Sequence, residues 1–369
     1  MVDALRVCVH ALDRTGPPLL ALSFLRWFRA ARPDVRVDVI AFRGGELWDD
    51  YVQLCPTRVV LDPHEPWDSG RYSSSRAGVL RDRLASVPEV DVTLLVSVAA
   101  GQALPLLPDA RSLVTWVVEQ GEDLHWIDAP IGLVDRTTRW VAGSEGTRVD
   151  LGSRLADGVR IDVAPEFVDM PDRPSEAVVQ HCRASLDVHG DERLVVGAGI
   201  GTRRKGPDLF VETALEVLRT SDRPARFVWF GGQSDPLFEP LRAEAARPGD
   251  DHVRLVGNVT EVVPWIAAAD VFLHPARLDA FPLVCLHAAS QEVPVVAFAD
   301  AGGVPEMLGE SFVGVPFPDV AGLASCVVDL FDAGRRGVVA SAQSRHVRQH
   351  FDVRSCAPQL ASVLDEVST

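Results

Sequence analysis

Short apolar runs alternate with amphipathic segments along the first half of the chain. The apolar runs have the length and residue types of buried strands, and they fall at residues 5–10, 36–42, 58–61, 91–97, 112–118, 138–142 and 160–163. Between them the apolar positions follow a helical period, as at residues 17–31 and 74–86. This alternation of strands and helices predicts a parallel sheet that is covered by helices.

The second half of the chain repeats the pattern after an interruption. Residues 165–174 contain three prolines, which indicates a linker. Further strands are then predicted at residues 194–198, 226–230, 253–256, 271–274 and 295–298. We therefore expect two successive α/β domains, residues 1–170 and 171–351, that face a central cleft. Ligands of such sheets bind at the carboxyl ends of the strands.

Length, charge and cysteine usage narrow the class of protein. A chain of 369 residues exceeds one ordinary hydrophobic core, in agreement with two domains. The net charge of −16 disfavours broad binding of nucleic acid or anionic membranes, so a phosphate site would have to be a local basic pocket. Six scattered cysteines indicate reduced thiols. The sequence shows neither a signal peptide nor an apolar stretch long enough to span a membrane, so we expect a cytoplasmic protein.

Only one of the 36 basic residues is a lysine. Lys205 lies between a predicted strand and a predicted helix, in the segment Gly-Ile-Gly-Thr-Arg-Arg-Lys-Gly. A compact ammonium group suits a phosphate oxygen better than a planar guanidinium does, and glycine-rich turns at helix starts bind phosphates. The segment therefore predicts a phosphate site. The alternative is a surface lysine that an arginine-rich composition has left in place.

The glycines of this segment could also suggest a dinucleotide-binding fingerprint. Gly197 and Gly199 fit its first two positions, but Thr202 occupies the third. The acidic residue expected about 20 positions later is missing as well, because the next strand ends in two glycines. The sequence therefore disfavours NAD as a ligand.

Three further segments place turn residues after predicted strands. Asp279 precedes an apolar helical run from Leu283, so its carboxylate could accept hydrogen bonds from ligand hydroxyls or cap the helix. Gly302 and Gly303 form a second turn. In the third segment, Gly257-Asn258-Val259, main-chain groups could hold a flat base.

In order and spacing these segments resemble the family-four retaining glycosyltransferases, which have the GT-B fold. The resemblance runs from Arg204-Lys-Gly-Pro-Asp-Leu-Phe through Gly257-Asn-Val and the Asp279-x-Phe segment to Gly302-Gly-x-Pro-Glu. It implies two Rossmann-like domains and transfer of a sugar from a nucleoside-diphosphate sugar to a hydroxyl acceptor. We expect neither a metal nor a further cofactor, since the chain lacks the Asp-x-Asp tripeptide usual in metal-dependent glycosyltransferases.

The resemblance also implies roles for individual residues. Arg204 and Lys205 would stabilise the leaving diphosphate, and Asp279 would bind hydroxyls of the transferred sugar. Further donor contacts are expected at Gly16, Asn258, Val259, Phe281, Pro282, Leu283, Val284 and His287. On the acceptor side, the resemblance points to Thr15 and Glu119, and their positions at predicted strand ends add His10 and Trp116. Residues 1–170 would form the acceptor-binding domain, and residues 171–351 the nucleotide-sugar donor-binding domain. A C-terminal helix, residues 352–369, should pack on the first domain.

One position departs from the family pattern. His287 stands where these transferases usually carry the second glutamate of a Glu-x₇-Glu motif, which binds the ribose hydroxyls. A neutral imidazole has one acceptor nitrogen, whereas a carboxylate can accept from two hydroxyls. Three interpretations stay open: weaker binding of an ordinary donor, use of a different nucleotide or sugar, and loss of activity.

Alternative functions follow from the same residues. The chain could be a catalytically impaired, nucleotide-binding member of the family, or a nucleotide-sugar epimerase of the same fold. The hydroxyl acceptor could be a glycan, a lipid-linked saccharide or a natural product. No strongly basic amphipathic helix supports binding to a membrane surface. We expect a monomer or a homodimer.

Overall fold

The structure, a computed structural model, describes residues 1–61, 79–80, 82–84, 86–107, 110–129, 132–232, 238–245 and 252–368. Its contacts divide the chain into two compact units, Met1–Asp169 with Val353–Thr369, and Met170–Asp352. The boundaries predicted after residues 170 and 351 lie within one residue of these divisions. The assignment of the units to acceptor and donor binding stays a prediction.

The first unit is built on a seven-stranded sheet in which every neighbouring pair of strands is parallel. Its strands are β1 Ala4–Val9, β2 Arg36–Arg43, β3 Thr57–Leu61, β4 Val92–Val96, β5 Ser112–Val117, β6 Arg139–Ala142 and β7 Ile161–Val163. Their order across the sheet is β3-β2-β1-β4-β5-β6-β7. The direction of chain progression reverses between β1 and β4, which makes their carboxyl ends a topological switch point.

Helices and 3₁₀ turns connect these strands. The described helices of the first unit are Gly16–Ala31, Trp48–Leu54, Leu133–Arg136, Glu145–Gly152 and Val353–Val367. Its 3₁₀ segments are Val98–Leu106 and Gly121–Ile127. The C-terminal helix packs on Gly16–Ala31, where Asp365 accepts hydrogen bonds of 2.8 and 2.7 Å from the Arg32 guanidinium. The main-chain N–H of Val2 donates to the same carboxylate at 3.0 Å, so the last helix is fastened to the start of the chain.

The second unit contains a six-stranded sheet that is also parallel throughout. Its strands are β8 Arg193–Ala198, β9 Ala225–Phe230, β10 Val253–Gly257, β11 Val271–His274, β12 Val295–Phe298 and β13 Val313–Val315. Their order is β10-β9-β8-β11-β12-β13, so the switch point of this sheet lies between β8 and β11.

The helices of the second unit cover both faces of its sheet. The described ones are Glu176–Ser185, Pro207–Thr220, Phe238–Ala245, Val263–Ala267, Leu283–Ser290, Val304–Leu308, Val320–Asp329 and Ala333–His350. Short 3₁₀ segments lie at Arg203–Lys205 and Gly309–Ser311. Within the described ranges, none of the helices is both long and apolar enough to span a bilayer.

The predicted fold class is confirmed. All twelve predicted strands are present, with ends within one residue of those expected from the sequence. The short edge strand β13 was not predicted, because it has three residues with a glycine at its centre. The helix predicted at 17–31 begins at Gly16, and the one predicted at 74–86 falls mostly outside the described residues.

Interlocking aromatic rings fill the core of the second unit. Phe210, on the helix Pro207–Thr220, meets Trp229 of β9 edge to face at 5.5 Å between ring centroids, and Phe227 at 6.1 Å. Gly197 of β8 makes room for them, since a Cβ there would lie 2.8 Å from both Phe210 and Trp229. This packing fixes the helix that follows the lysine-containing turn.

Truncation of the central ring tests this packing. Phe210→Ala should lower the free energy of unfolding by about 3–5 kcal/mol, because it removes a fully buried side chain and leaves a cavity. Leu215→Ala is the matched control on the same helix, since Leu215 is 40% exposed, and it should change stability by less than about 0.5 kcal/mol. Chemical denaturation followed by tryptophan fluorescence measures both. Equal losses from the two variants would contradict this description of the core.

Candidate functional site

The lysine-containing turn and the Asp279 loop follow the two strands at the switch point of the second sheet. After β8, the chain forms a 3₁₀ turn over Arg203–Lys205 and then enters the helix Pro207–Thr220. After β11, it passes through a loop into the helix Leu283–Ser290. Because β8 and β11 are neighbours and parallel, both loops leave the same edge of the sheet side by side.

Charged side chains from these two loops form one cluster around Asp279. The Lys205 ammonium group donates a hydrogen bond to Asp279 Oδ2. His274 Nε2 lies 3.1 Å from the same oxygen, and Arg204 Nη1 lies 3.7 Å from Oδ1. Asp279 is only 6% exposed, so its carboxylate is surrounded by groups that stabilise a negative charge. We call Arg204, Lys205, His274 and Asp279 the charge cluster.

The protonation states of the cluster follow from burial and charge. Burial opposes ionisation of Asp279, but Lys205, His274 and Arg204 outweigh it and hold the pKa of this carboxyl far below its usual range. Burial lowers the pKa of His274, Asp279 opposes that shift, and the two cations add to it. At neutral pH the cluster therefore contains an ionised Asp279 and a neutral His274.

Arg277 fastens the two loops to each other. Its guanidinium makes two hydrogen bonds to Asp208, of 2.8 and 2.7 Å, and a third to the carbonyl of Arg203 at 2.8 Å. Its main-chain N–H donates to the carbonyl of Arg204 at 2.8 Å. The hydrogen bonds with Asp208 raise the pKa of Arg277, as expected for a bidentate pair. Arg277 therefore sets where the cations of the turn lie.

Two glycines allow the close approach of these backbones. Gly206 has a φ of +73°, and a Cβ on it would lie 2.2 Å from the carbonyl oxygen of Pro275. Gly302 has a φ of +123°, and its Cβ would lie 1.9 Å from the carbonyl oxygen of Asp279. The N–H of Asp279 donates to Ala301 at 2.8 Å, and its carbonyl accepts from Gly303 at 3.0 Å. The backbone of Asp279 is therefore held on both sides.

The segment Phe281–Val284 forms the start of the helix beyond Asp279. Pro282 occupies the N-cap position, so the alternative that Asp279 caps this helix is wrong. Phe281 is buried and its ring centroid lies 5.2 Å from that of Phe351. Main-chain N–H groups of Leu283 and Val284 lie in the first helical turn, which has no intrahelical acceptors for them. A ligand phosphate or hydroxyl is a suitable partner for such groups.

The remaining predicted donor residues lie along the same edge. Asn258 and Val259 follow β10, two strands from β8, which corresponds to about 10 Å at the usual strand spacing. The amide of Asn258 lies against Gly232, where a Cβ would approach its Oδ1 to 2.8 Å. His287 is half-buried in the helix Leu283–Ser290, and its Nδ1 has no hydrogen-bond partner among the described residues. Burial lowers the pKa of His287 to about 4, so the imidazole is neutral at neutral pH.

Comparisons with known proteins find a family match in the region that contains the charge cluster. The model of a family described as Glycosyl transferases group 1 matches residues 192–333, which include the whole charge cluster. A D-inositol 3-phosphate glycosyltransferase of Arthrobacter sp. (strain FB24) is 28% identical over 81% of this chain and 71% of its own length. The enzyme of the same name from Gordonia bronchialis is 30% identical over 78% of this chain and 64% of its own length. The family match lies within the second unit, and both relatives are named as glycosyltransferases.

Solved structures show that the fold of this chain is GT-B. Anabaena Alr3699/HepE, in complex with UDP and glucose, aligns with a TM-score of 0.78 at 17% identity, over 99% of this chain and 100% of that one. WaaG, a glycosyltransferase involved in lipopolysaccharide biosynthesis, aligns with a TM-score of 0.74 at 16% identity, over 98% and 99% of the two chains. At these identities the likeness concerns the fold alone.

In the first unit, His10 and Thr15 follow β1 at the switch point. His10 is half-buried, and its Nδ1 has no hydrogen-bond partner among the described residues. Burial lowers the pKa of His10, and Asp13 opposes the shift. Thr15 donates a hydrogen bond to Asp13 and precedes the helix that begins at Gly16, where a Cβ would meet no atom within 4 Å. The acceptor and donor roles of these three residues stay predictions.

Glu119 is engaged with the backbone of its own unit. One carboxylate oxygen accepts from the Ser97 hydroxyl, and the other accepts from the N–H groups of Val98 at 3.3 Å and Val118 at 3.0 Å. Burial raises the pKa of Glu119, although these hydrogen bonds act in the opposite direction. Glu119 therefore holds together the segments that leave β4 and β5, and its predicted contact with an acceptor stays a prediction.

The expectation that Trp116 contacts the acceptor is wrong. Trp116 is 0% exposed, its Nε1 donates to the carbonyl of Ala164 at 3.0 Å, and its ring lies 5.7 Å from that of Phe167. The physical reason is its position on β5, a central strand between β4 and β6, where both faces of the sheet are covered. The ring is a core residue and cannot stack on a sugar.

Sequence reasoning missed two residues of the site, His274 and Arg277. His274 has no ligand-like spacing to another histidine, so its place in the sequence does not indicate a role in a site. Its importance comes from the adjacency of β8 and β11, which brings Lys205 next to a strand that begins 66 residues later. The signal that could have found both residues is the switch-point rule applied to a predicted strand order.

The close approach at Gly206 can be tested by a methyl group. Gly206→Ala and Gly190→Ala both force alanine into a left-handed conformation, at a cost of about 1–2 kcal/mol. At Gly190 the Cβ would meet nothing within 4 Å, whereas at Gly206 it collides with Pro275. Gly206→Ala should therefore lose at least about 1 kcal/mol more stability than the Gly190 control. Equal losses in thermal and chemical unfolding would show that the turn is not packed in this way.

Proposed function

We propose that this chain is a retaining, metal-independent glycosyltransferase that moves a sugar from a nucleoside-diphosphate sugar to a hydroxyl acceptor. The observation that carries the proposal is the charge cluster at the switch point of the second sheet. There, Arg204 and Lys205 lie beside the buried carboxylate of Asp279, next to the amino end of the helix Leu283–Ser290. This edge of a parallel sheet is where such folds bind ligands.

The two cations suit a departing diphosphate. When the bond to the sugar breaks, negative charge develops on the leaving phosphate, and fixed positive groups stabilise that charge. The ammonium group of Lys205 has three N–H bonds, of which one is directed to Asp279. The Arg204 side chain is 38% exposed and is steered by a 3.0 Å hydrogen bond to the carbonyl of Leu278. Both cations can therefore reach a ligand without losing their protein contacts.

Asp279 suits the hydroxyls of the transferred sugar. Because its pKa is held low, the carboxylate stays ionised and accepts hydrogen bonds. The lowered pKa also means that the carboxylate is a weak base, which makes it a poor nucleophile for a covalent intermediate. The family resemblance is the ground on which we propose retention by front-face attack, in which the leaving phosphate oxygen would take the proton of the acceptor hydroxyl. Backbone N–H groups at Leu283 and Val284 would contact the sugar and phosphate.

A UDP-sugar is the donor that we propose first. Structures of Anabaena Alr3699/HepE contain UDP, UDP with glucose, and UDP-glucose. Several relatives are named D-inositol 3-phosphate glycosyltransferase, and two others are named as a lipopolysaccharide core biosynthesis mannosyltransferase and an alpha-galactosylglucosyldiacylglycerol synthase. A hydroxyl acceptor on a polyol, a saccharide or a glycolipid is therefore the class to test.

Substitution of Lys205 tests the proposal directly. Lys205→Met should lower kcat/KM for UDP-sugar turnover by about 100- to 1,000-fold, because it removes a fixed donor at the leaving group. Lys205→Arg should recover only part of this loss, since a guanidinium fork replaces a point charge. Arg203→Met is the matched control, because Arg203 is an exposed cation of the same turn. UDP release followed by a coupled assay measures all four proteins.

If the proposal is right, the control Arg203→Met and the test variant Lys205→Met differ in turnover. Arg203→Met should keep kcat/KM within about threefold of the unaltered chain. If Lys205→Met retained full turnover, or if no nucleotide sugar were bound or turned over by the unaltered chain, the proposed function would be wrong.

His287 tests how the donor's ribose is held. His287→Glu should tighten binding of UDP by about tenfold, because a carboxylate can accept from both ribose hydroxyls whereas the neutral imidazole offers one acceptor. Calorimetric titration with UDP and with UMP measures the effect, and His287→Gln separates charge from size. An unchanged or weaker affinity for UDP would contradict weak ribose binding as the consequence of this histidine. Binding without release from any UDP-sugar would favour the impaired, nucleotide-binding alternative.

A further inference from the structure

We propose that His274 is a positioning residue that holds the Asp279 carboxylate in place for the transferred sugar. The inference rests on the proposed function and assigns a role to a side chain outside the family pattern described above. His274 is the last residue of β11, only 2% exposed, with Nε2 3.1 Å from Asp279 Oδ2.

The backbones of both residues are fixed independently of any ligand. His274 pairs with Ala297 in the parallel ladder between β11 and β12. Asp279 forms an isolated parallel bridge with Gly302, through the hydrogen bonds to Ala301 and Gly303 already described. The imidazole and the carboxylate are therefore presented to each other by the sheet and by the adjoining loop, with little freedom to separate.

A neutral imidazole differs from a third cation in its response to a bound diphosphate. The only other groups that lie against the carboxylate in the described contacts are Lys205 and Arg204, both charged and both suited to a diphosphate. Phosphate competes with Asp279 for these cations when a donor binds. The uncharged imidazole of His274 is not drawn towards phosphate in this way, so its contact with Oδ2 does not depend on how the cations are shared with the ligand.

The contacts of the two carboxylate oxygens of Asp279 indicate which of them can accept a hydrogen bond from the sugar. His274 Nε2 lies 3.1 Å from Oδ2, and Lys205 donates a hydrogen bond to the same oxygen. Oδ1 lies farther from its nearest cation, at 3.7 Å from Arg204 Nη1. With Oδ2 occupied by His274, Oδ1 is the atom that we assign to a sugar hydroxyl. Loss of His274 should therefore weaken recognition of the sugar while recognition of the nucleotide is retained.

The test compares UDP-glucose with UDP in calorimetric titrations of the full chain. His274→Leu removes the N–H, and His274→Gln keeps an N–H near the position of Nε2. His252→Leu is the control for loss of a histidine, since the side chain of His252 is 47% exposed in the same unit. Thermal unfolding of each variant is recorded alongside, so that a folding defect is recognised separately.

We expect the unaltered chain and the His252 control to bind UDP-glucose more tightly than UDP. In His274→Leu this preference should fall about tenfold with the affinity for UDP within about twofold, and His274→Gln should restore at least half of it on a logarithmic scale. A preference unchanged in His274→Leu would overturn the inference and leave the proposed function intact. So would an equal loss for both ligands, which indicates a general defect. An unaltered chain that binds neither ligand would overturn the proposed function and this inference together.

Discussion

A buried carboxylate that has to keep its charge is the constraint on which the site of the second unit depends. Removing a carboxylate from water costs several kcal/mol unless nearby cations and hydrogen-bond donors compensate. Around Asp279 the compensation comes from Lys205, Arg204 and His274. Each of these groups reaches the carboxylate only because β8 and β11 are adjacent and parallel. The chemistry of the site is therefore a consequence of sheet topology.

Close backbone packing converts this topology into fixed positions. Gly206 and Gly302 let neighbouring loops approach to distances that any side chain would prevent. Arg277 then locks the turn to the loop through Asp208 and two main-chain carbonyls. Charges that are held in this way need little rearrangement when negative charge develops on a leaving group, which is the condition for electrostatic catalysis.

The strands and the charged residues of the turns could be predicted from the sequence. Among the described residues, hydrophobic periodicity located every strand except β13, whose three residues include Gly314 and leave too short a pattern. The cations and Asp279 were found because turn chemistry and a family motif mark them. His274 and Arg277 were not found, because their roles depend on which strands are neighbours. The prediction for Trp116 was wrong for a related reason. A tryptophan near the end of a strand faces solvent or the core according to what covers the sheet, and this face of the sheet is covered.

The single lysine of the chain provides the most direct test of the account. Growth on lysine labelled with ¹⁵N at the ζ position puts the label on one side chain, Lys205, so one ammonium resonance reports on the cluster. We predict slowly exchanging ammonium protons, as expected for a group hydrogen-bonded to a buried carboxylate, and a saturable shift of the resonance on addition of UDP or UDP-glucose. A resonance with the position and exchange of a solvated lysine, unmoved by either ligand, would contradict the central claim.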